Sequence, residues 1–225
     1  MTRIDVVIES GSKRTFASAI DWPGWARAGR DEASALQALF AYSPRYGRVV
    51  ARTRLDFAAP ESMTALHVVE KVRGNATTDF GAPAAPARAE NAHVNEANLE
   101  RLRTLLTAGW RAFDAGVDAA RGRALRKGPR GGGRSVEAIV RHVLEAEAVY
   151  LMALGWPFKT NACDDSAAEL ERTRRAVLDG LAASARGEIA PKGPRGRARW
   201  KPRFFARRLA WHTLDHLWEI EDRSA

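Results

Sequence analysis

The spacing of apolar positions changes roughly one third of the way along the chain. Ile4-Asp5-Val6-Val7-Ile8 is short and β-branched, and Ser10-Gly11-Ser12-Lys13 follows as a turn. Thr15–Ile20 then alternates, with Phe16 and the residues at 18 and 20 on one face, which predicts a β-hairpin. Asp21-Trp22-Pro23-Gly24 breaks the strand. Asp31 and Glu32 open an amphipathic helix with Ala35, Leu36, Leu39, Phe40 and Tyr42 at helical spacing, and acids in a first turn suit the helix dipole. Leu66-His67-Val68-Val69-Glu70 reads as a returning strand. The predicted order over 1–73 is β-β-β-α-β, a small α+β domain.

Residues 74–94 read as a linker, without period and interrupted by Pro83 and Pro86. From 95 onward the period is helical. Leu99, Leu102, Leu106, Trp110, Phe113 and Val117 form a 3/4 stripe over about 95–120. A second helix starts at Ser135, a good N-cap, and stops at Gly155-Trp156-Pro157. A third carries Leu170, Val177, Leu178 and Leu181, and a fourth begins near Pro202, a residue tolerated in a first turn. Four such helices imply an all-α up-and-down bundle over 95–225, with the second and fourth helices parallel. The two parts are expected to have separate cores joined by the linker.

Length allows one large domain or two small ones. The chain has 225 residues, 45% hydrophobic and 28% charged, enough for real cores and against disorder. No apolar run approaches a membrane span, and the first residues lack the features of a signal peptide, so a cytoplasmic protein without membrane contact is expected. A single cysteine excludes an internal disulfide and a multi-cysteine zinc site. The net charge of +9 is uneven: residues 121–141 hold seven basic side chains and one acidic, and 186–208 hold nine and one. Such stretches suit nucleic acid or a small anion, or are solvated loops.

Of five histidines, His212 and His216 form His-x-x-x-His, which on a helix places both imidazoles on one face. The pair by itself also fits two buried, hydrogen-bonded histidines. His142 lies at a depth in the second helix that puts it in the same layer as the pair. Three histidines with an open position suit a catalytic metal site holding zinc, nickel or iron. Glu145 and Glu219, each one turn from a histidine, are candidate catalytic bases or acceptors for a ligand histidine, or solvated carboxylates.

At these residues the chain resembles a known family. Arg141-His142-Val143-Leu144-Glu145 and Trp211-His212-x-x-x-His216 are similar to the DinB/YfiT-like metalloenzymes. The resemblance covers about 91–225. It implies a four-helix bundle with a divalent metal on His142, His212 and His216, and in some members a transferase or isomerase reaction dependent on a low-molecular-weight thiol. Ile20-Asp21-Trp22-Pro23-Gly24-Trp25, followed by Gly29 and Asp31-Glu32-Ala33, resembles HicB-like antitoxin domains over about 1–73. That implies a reused fold, suited to dimerisation.

Lys127-Gly128-Pro129-Arg130-Gly131 recurs as Lys192-Gly193-Pro194-Arg195-Gly196. With the second and fourth helices parallel, both loops share one end, beside two helix N-termini. Arg130, Arg134, Arg195 and Arg199 are then candidates to clamp an anionic cofactor or substrate, against the plainer reading of two solvated loops. Two functions follow. One is a metal-dependent, thiol-using transferase or hydrolase acting on a small anionic molecule. The other is a non-enzymatic module in which the HicB-like domain and basic loops engage nucleic acid or a protein.

Overall fold

The structure is a computed structural model that describes residues 3–127, 133–160 and 166–224. Strands β1 (Ile4–Ser10), β2 (Thr15–Ala19), β3 (Ala26–Gly29) and β4 (Leu66–Arg73) form one mixed sheet in the order β3-β2-β1-β4. The hairpin β1–β2 is antiparallel, with Val6 opposite Ala19 and Ile8 opposite Ala17, while β4 returns parallel to β1. A parallel return needs a crossover, supplied by α1 (Glu32–Ala41) and α2 (Ser43–Val50). Asp31 caps α1 by accepting from Ser34 N–H, 2.8 Å.

Helix α2 is absent from the sequence expectation. Pro44 looks like a breaker, but it sits in the first turn of α2, where its missing N–H costs nothing. Tyr46 on α2 is buried, stacks on Trp25 at 5.7 Å and donates to the Pro23 carbonyl at 3.0 Å. Trp25 in turn donates to the Leu39 carbonyl at 2.9 Å. The Trp-Pro-Gly-Trp turn is therefore anchored into both helices.

The remaining helices are α3 (Ala76–Phe80), α4 (Glu96–Ala120), α5 (Val136–Leu154), α6 (Ser166–Ala185) and α7 (Pro202–Ser224). The chain is thus a four-stranded mixed sheet followed by helices. The segment 74–94 is not a loose linker. It contains α3 and a single 3-10 turn at Arg88–Asn91, and Ala82, Ala85, Ala87 and Glu90 are buried. Nor are the cores separate: Val6, Ile8, Trp25 and Leu39 belong to the same buried cluster as Phe113, Ile139, Leu214 and Trp218. Helix α7 explains this. It is buried on nearly every side, taking α4, α5 and α6 on some faces and the sheet, through Trp211 against Phe16 at 5.9 Å, on another. Its polar spacing in sequence hides that all-round burial.

Helix directions also differ from the expected order. Trp200 N–H donates to the Ala153 carbonyl at 3.0 Å, and Arg126 N–H, ahead of α5, donates to the Arg223 carbonyl at 2.9 Å. The start of α7 thus meets the end of α5, so α5 and α7 are antiparallel, not parallel. Arg203 reaches Asn98 at 2.5 Å and Leu217 packs on Gly116, so α4 and α7 run the same way. Trp156, just past the end of α5, packs on Gly180 near the end of α6, so α5 and α6 run the same way. Among the described residues no helix is long and apolar enough to cross a membrane.

Candidate metal centre

His142 projects from the first half of α5, and His212 and His216 from the middle of the antiparallel α7. That brings the three rings together: centroids lie 5.1 Å (His142–His212), 5.0 Å (His142–His216) and 4.6 Å (His212–His216) apart. One ligand nitrogen from each lies within 4.8 Å of the other two. His212 and His216 are buried and His142 is half-buried, so the cluster opens to solvent on the α5 side. Three histidines therefore lie close enough to hold a metal ion.

The protonation chemistry suits ligands. Burial pushes His212 well below the usual imidazole range, and the neighbouring cations add to this. Burial also lowers His142, followed by the charge of Arg134. Neutral imidazole is the ligating form. Glu219 accepts from His216 Nδ1 at 2.8 Å and from Arg223 Nη1 at 2.7 Å. Those interactions, the His216 bond first, hold its carboxyl below the usual range despite partial burial. An ionised Glu219 fixes the proton on Nδ1 and leaves Nε2 of His216 free. The Nδ1 of His212 is buried and has no partner among the described residues.

Glu145 is exposed on α5, and among the described residues no hydrogen bond links it to the histidines. Arg134, just ahead of α5, is exposed but close enough for its charge to act on His142 and His212. Arg195 and Arg199 lie at the other end, because α5 and α7 are antiparallel. Arg199 packs against Gly155 and donates to the Ala190 carbonyl at 3.1 Å, holding the turn before α7. The shared anion entrance expected from the repeated basic loops is thus not formed. Arg130 lies outside the described residues.

Other groups flank the histidines. The Tyr150 ring is 5.7 Å from His212, and the Arg208 guanidinium lies over the rings of Tyr150 and Trp211. Arg208 is one turn before His212 on the same helix face, so its spacing is readable in the sequence. Arg27 on β3 donates to Asp215 at 2.9 Å, tying the sheet unit to the stretch of α7 that carries the two histidines. Nothing in the spacing of either segment signals that pairing.

No protein-family model matches the chain, and no curated protein and no solved structure matches it either.

Proposed function

We propose that the chain is a divalent-metal-dependent enzyme acting on a small anionic molecule, with His142, His212 and His216 as ligands. The observation that carries the reading is the 3.3 Å separation of the His142 and His212 Nε2 atoms. Two nitrogens bonded at ~2.05 Å to one tetrahedral ion lie ~3.3 Å apart. The donor set, three neutral nitrogens with one held by a carboxylate behind it, suits zinc, nickel or iron(II). When bound, such an ion supplies Lewis acidity at an oxygen or sulfur of the substrate or of a low-molecular-weight thiol. Glu219 orients His216. Glu145, exposed one turn beyond His142, would be the group that exchanges a proton with solvent.

In this reading the four long helices are a DinB-like bundle and the sheet unit is a HicB-like fold reused to close one face of it. Support for the first is the three-histidine pattern on the second and fourth helices. Support for the second is the β-β-β-α-β order with the Trp-Pro-Gly-Trp turn. Metal analysis of the purified protein tests the function: about one divalent ion per chain, lost in His212→Ala, is the expected result. A metal-free wild type at every loading condition defeats it.

A second reading, a nucleic-acid or protein-binding module, rests on a different feature. A groove of about 620 Å³ beside α4 is lined by Arg52, Arg54, Arg101, Arg103 and Arg111, with Glu100 the one acidic lining residue among those described. Binding of duplex or single-stranded oligonucleotides that falls steeply with salt and is lost in Arg52→Ala/Arg111→Ala favours it.

A further inference from the structure

Arg208 is only 7% exposed, yet among the described residues it has no hydrogen bond and no ion pair. Its Nη1 is buried without an acceptor. Its neighbours are the faces of two aromatic rings, Trp211 at 4.8 Å and Tyr150 at 5.2 Å. Two carboxylates act on it from a distance without bonding to it: Asp215 takes the hydrogen bond from Arg27, and Glu9 takes those from Thr78 and the Ala84 N–H on Oε1, while its Oε2 is buried without a partner among the described residues. Buried arginines are ordinarily paired, because an isolated charge in an apolar site is costly.

Two more donors on the same turn of α7 share the condition. Trp211 Nε1 and His212 Nδ1 are both buried without an acceptor. If Nε2 of His212 is given to a metal, its Nδ1 carries a proton and needs an acceptor. Three donors without acceptors, one of them a guanidinium fork, describe a site for a planar two-oxygen anion.

We infer that Arg208, with the Trp211 indole N–H beside it, seats the carboxylate of a small organic acid whose other end reaches the three-histidine centre one helical turn, ~6 Å, away. This rests on the metal-enzyme reading and replaces the loop arginines as the source of anion recognition. The half-buried His142 marks the side from which such a molecule enters. Tyr150 and Trp211 cover the guanidinium and keep it desolvated, which strengthens a charge-assisted pair with an incoming carboxylate.

The test compares wild type, Arg208→Met and Trp211→Phe for metal content, thermal midpoint, and calorimetric binding of pyruvate, succinate and uncharged succinamide. The expected result is unchanged metal content in all three proteins. Carboxylate binding should weaken about thirty-fold or more in Arg208→Met and by a smaller factor in Trp211→Phe, with succinamide indifferent to both. Without ligand, Arg208→Met should melt at or above the wild-type temperature, since it removes an unpaired buried charge. Metal-loaded wild type that binds the carboxylates no better than Arg208→Met overturns the inference alone. So does a destabilised Arg208→Met whose deficit matches that of Glu9→Gln, because Arg208 then serves Glu9 within the fold. Wild type without metal overturns the reading beneath it.

Discussion

Arg207 on α7 clasps Glu90, with Nε–Oε1 at 2.5 Å and Nη2–Oε2 at 3.2 Å, and both side chains are buried. Glu90 also accepts from the Ala87 N–H at 2.7 Å, and Arg207 donates to the Ala85 carbonyl at 3.0 Å. This pair fastens the stretch ahead of α4 to the central helix. Removing the carboxylate leaves a buried, uncompensated guanidinium, so Glu90→Ala should lose ~3–5 kcal/mol in urea unfolding. The double change Glu90→Leu/Arg207→Met should recover most of that. A loss below ~1 kcal/mol would mean the pair is solvated. Protease resistance across 74–92 in the wild type, and cleavage there in Glu90→Ala, would show the same fastening by another route.

Glu147 on α5 is fully buried and accepts from the Trp110 indole N–H at 2.9 Å. Burial raises its pKa to about 7, the Arg174 charge and the Trp110 bond only partly offsetting this. The unfolded chain releases this proton near 4.5, the folded chain near 7. The unfolded state therefore binds fewer protons between those values, and stability falls as pH rises from about 4.5 to about 7, then levels. Glu147→Gln keeps the acceptor oxygen and removes the ionisation. Its stability relative to wild type should be ~3 kcal/mol better at pH 8 than at pH 4.5, measured by chemical denaturation. A pH-independent difference would contradict the assignment.

The antiparallel arrangement of α5 and α7 separates the basic segments functionally. Arg134 lies close enough to depress the His142 pKa, whereas Arg195 lies at the opposite end. In the metal-free protein, Arg134→Ala should move the His142 titration upward, seen by NMR of the imidazole protons. Arg195→Ala should leave it in place. Equal responses would restore the shared entrance that the repeated Lys-Gly-Pro-Arg-Gly motif suggests.

Much of this was legible in sequence because it depends on local spacing. The hairpin, the capped α1 and the four long helices follow from apolar periodicity, and the three histidines from their positions on two of those helices. What depended on long-range packing was hidden. Pro44 reads as a break unless the first turn of α2 is known to begin there. Pro83 and Pro86 suggest a loose linker, while the neighbouring alanines are small enough to pack under α7. Helix direction is not written in any periodicity. The parallel assumption still brought His142 to the α7 pair, because all three sit near mid-helix, where reversing a helix changes depth little. The loops at the helix ends had no such protection, and their grouping failed. The pairing of Arg27 with Asp215 was invisible, and the spacing of Arg208 from His212 was readable while its lack of a partner was not, because both depend on which groups packing brings near.

The most direct test of the central claim is X-ray absorption at the metal edge of protein purified without a histidine tag and loaded with one equivalent of zinc or nickel. The predicted result is a shell of nitrogen or oxygen at ~2.0–2.1 Å with the multiple-scattering signature of three imidazoles, falling to two in His142→Ala. An ion whose shell contains no imidazole, or a spectrum unchanged by His142→Ala and His212→Ala, would contradict a metal centre built from His142, His212 and His216.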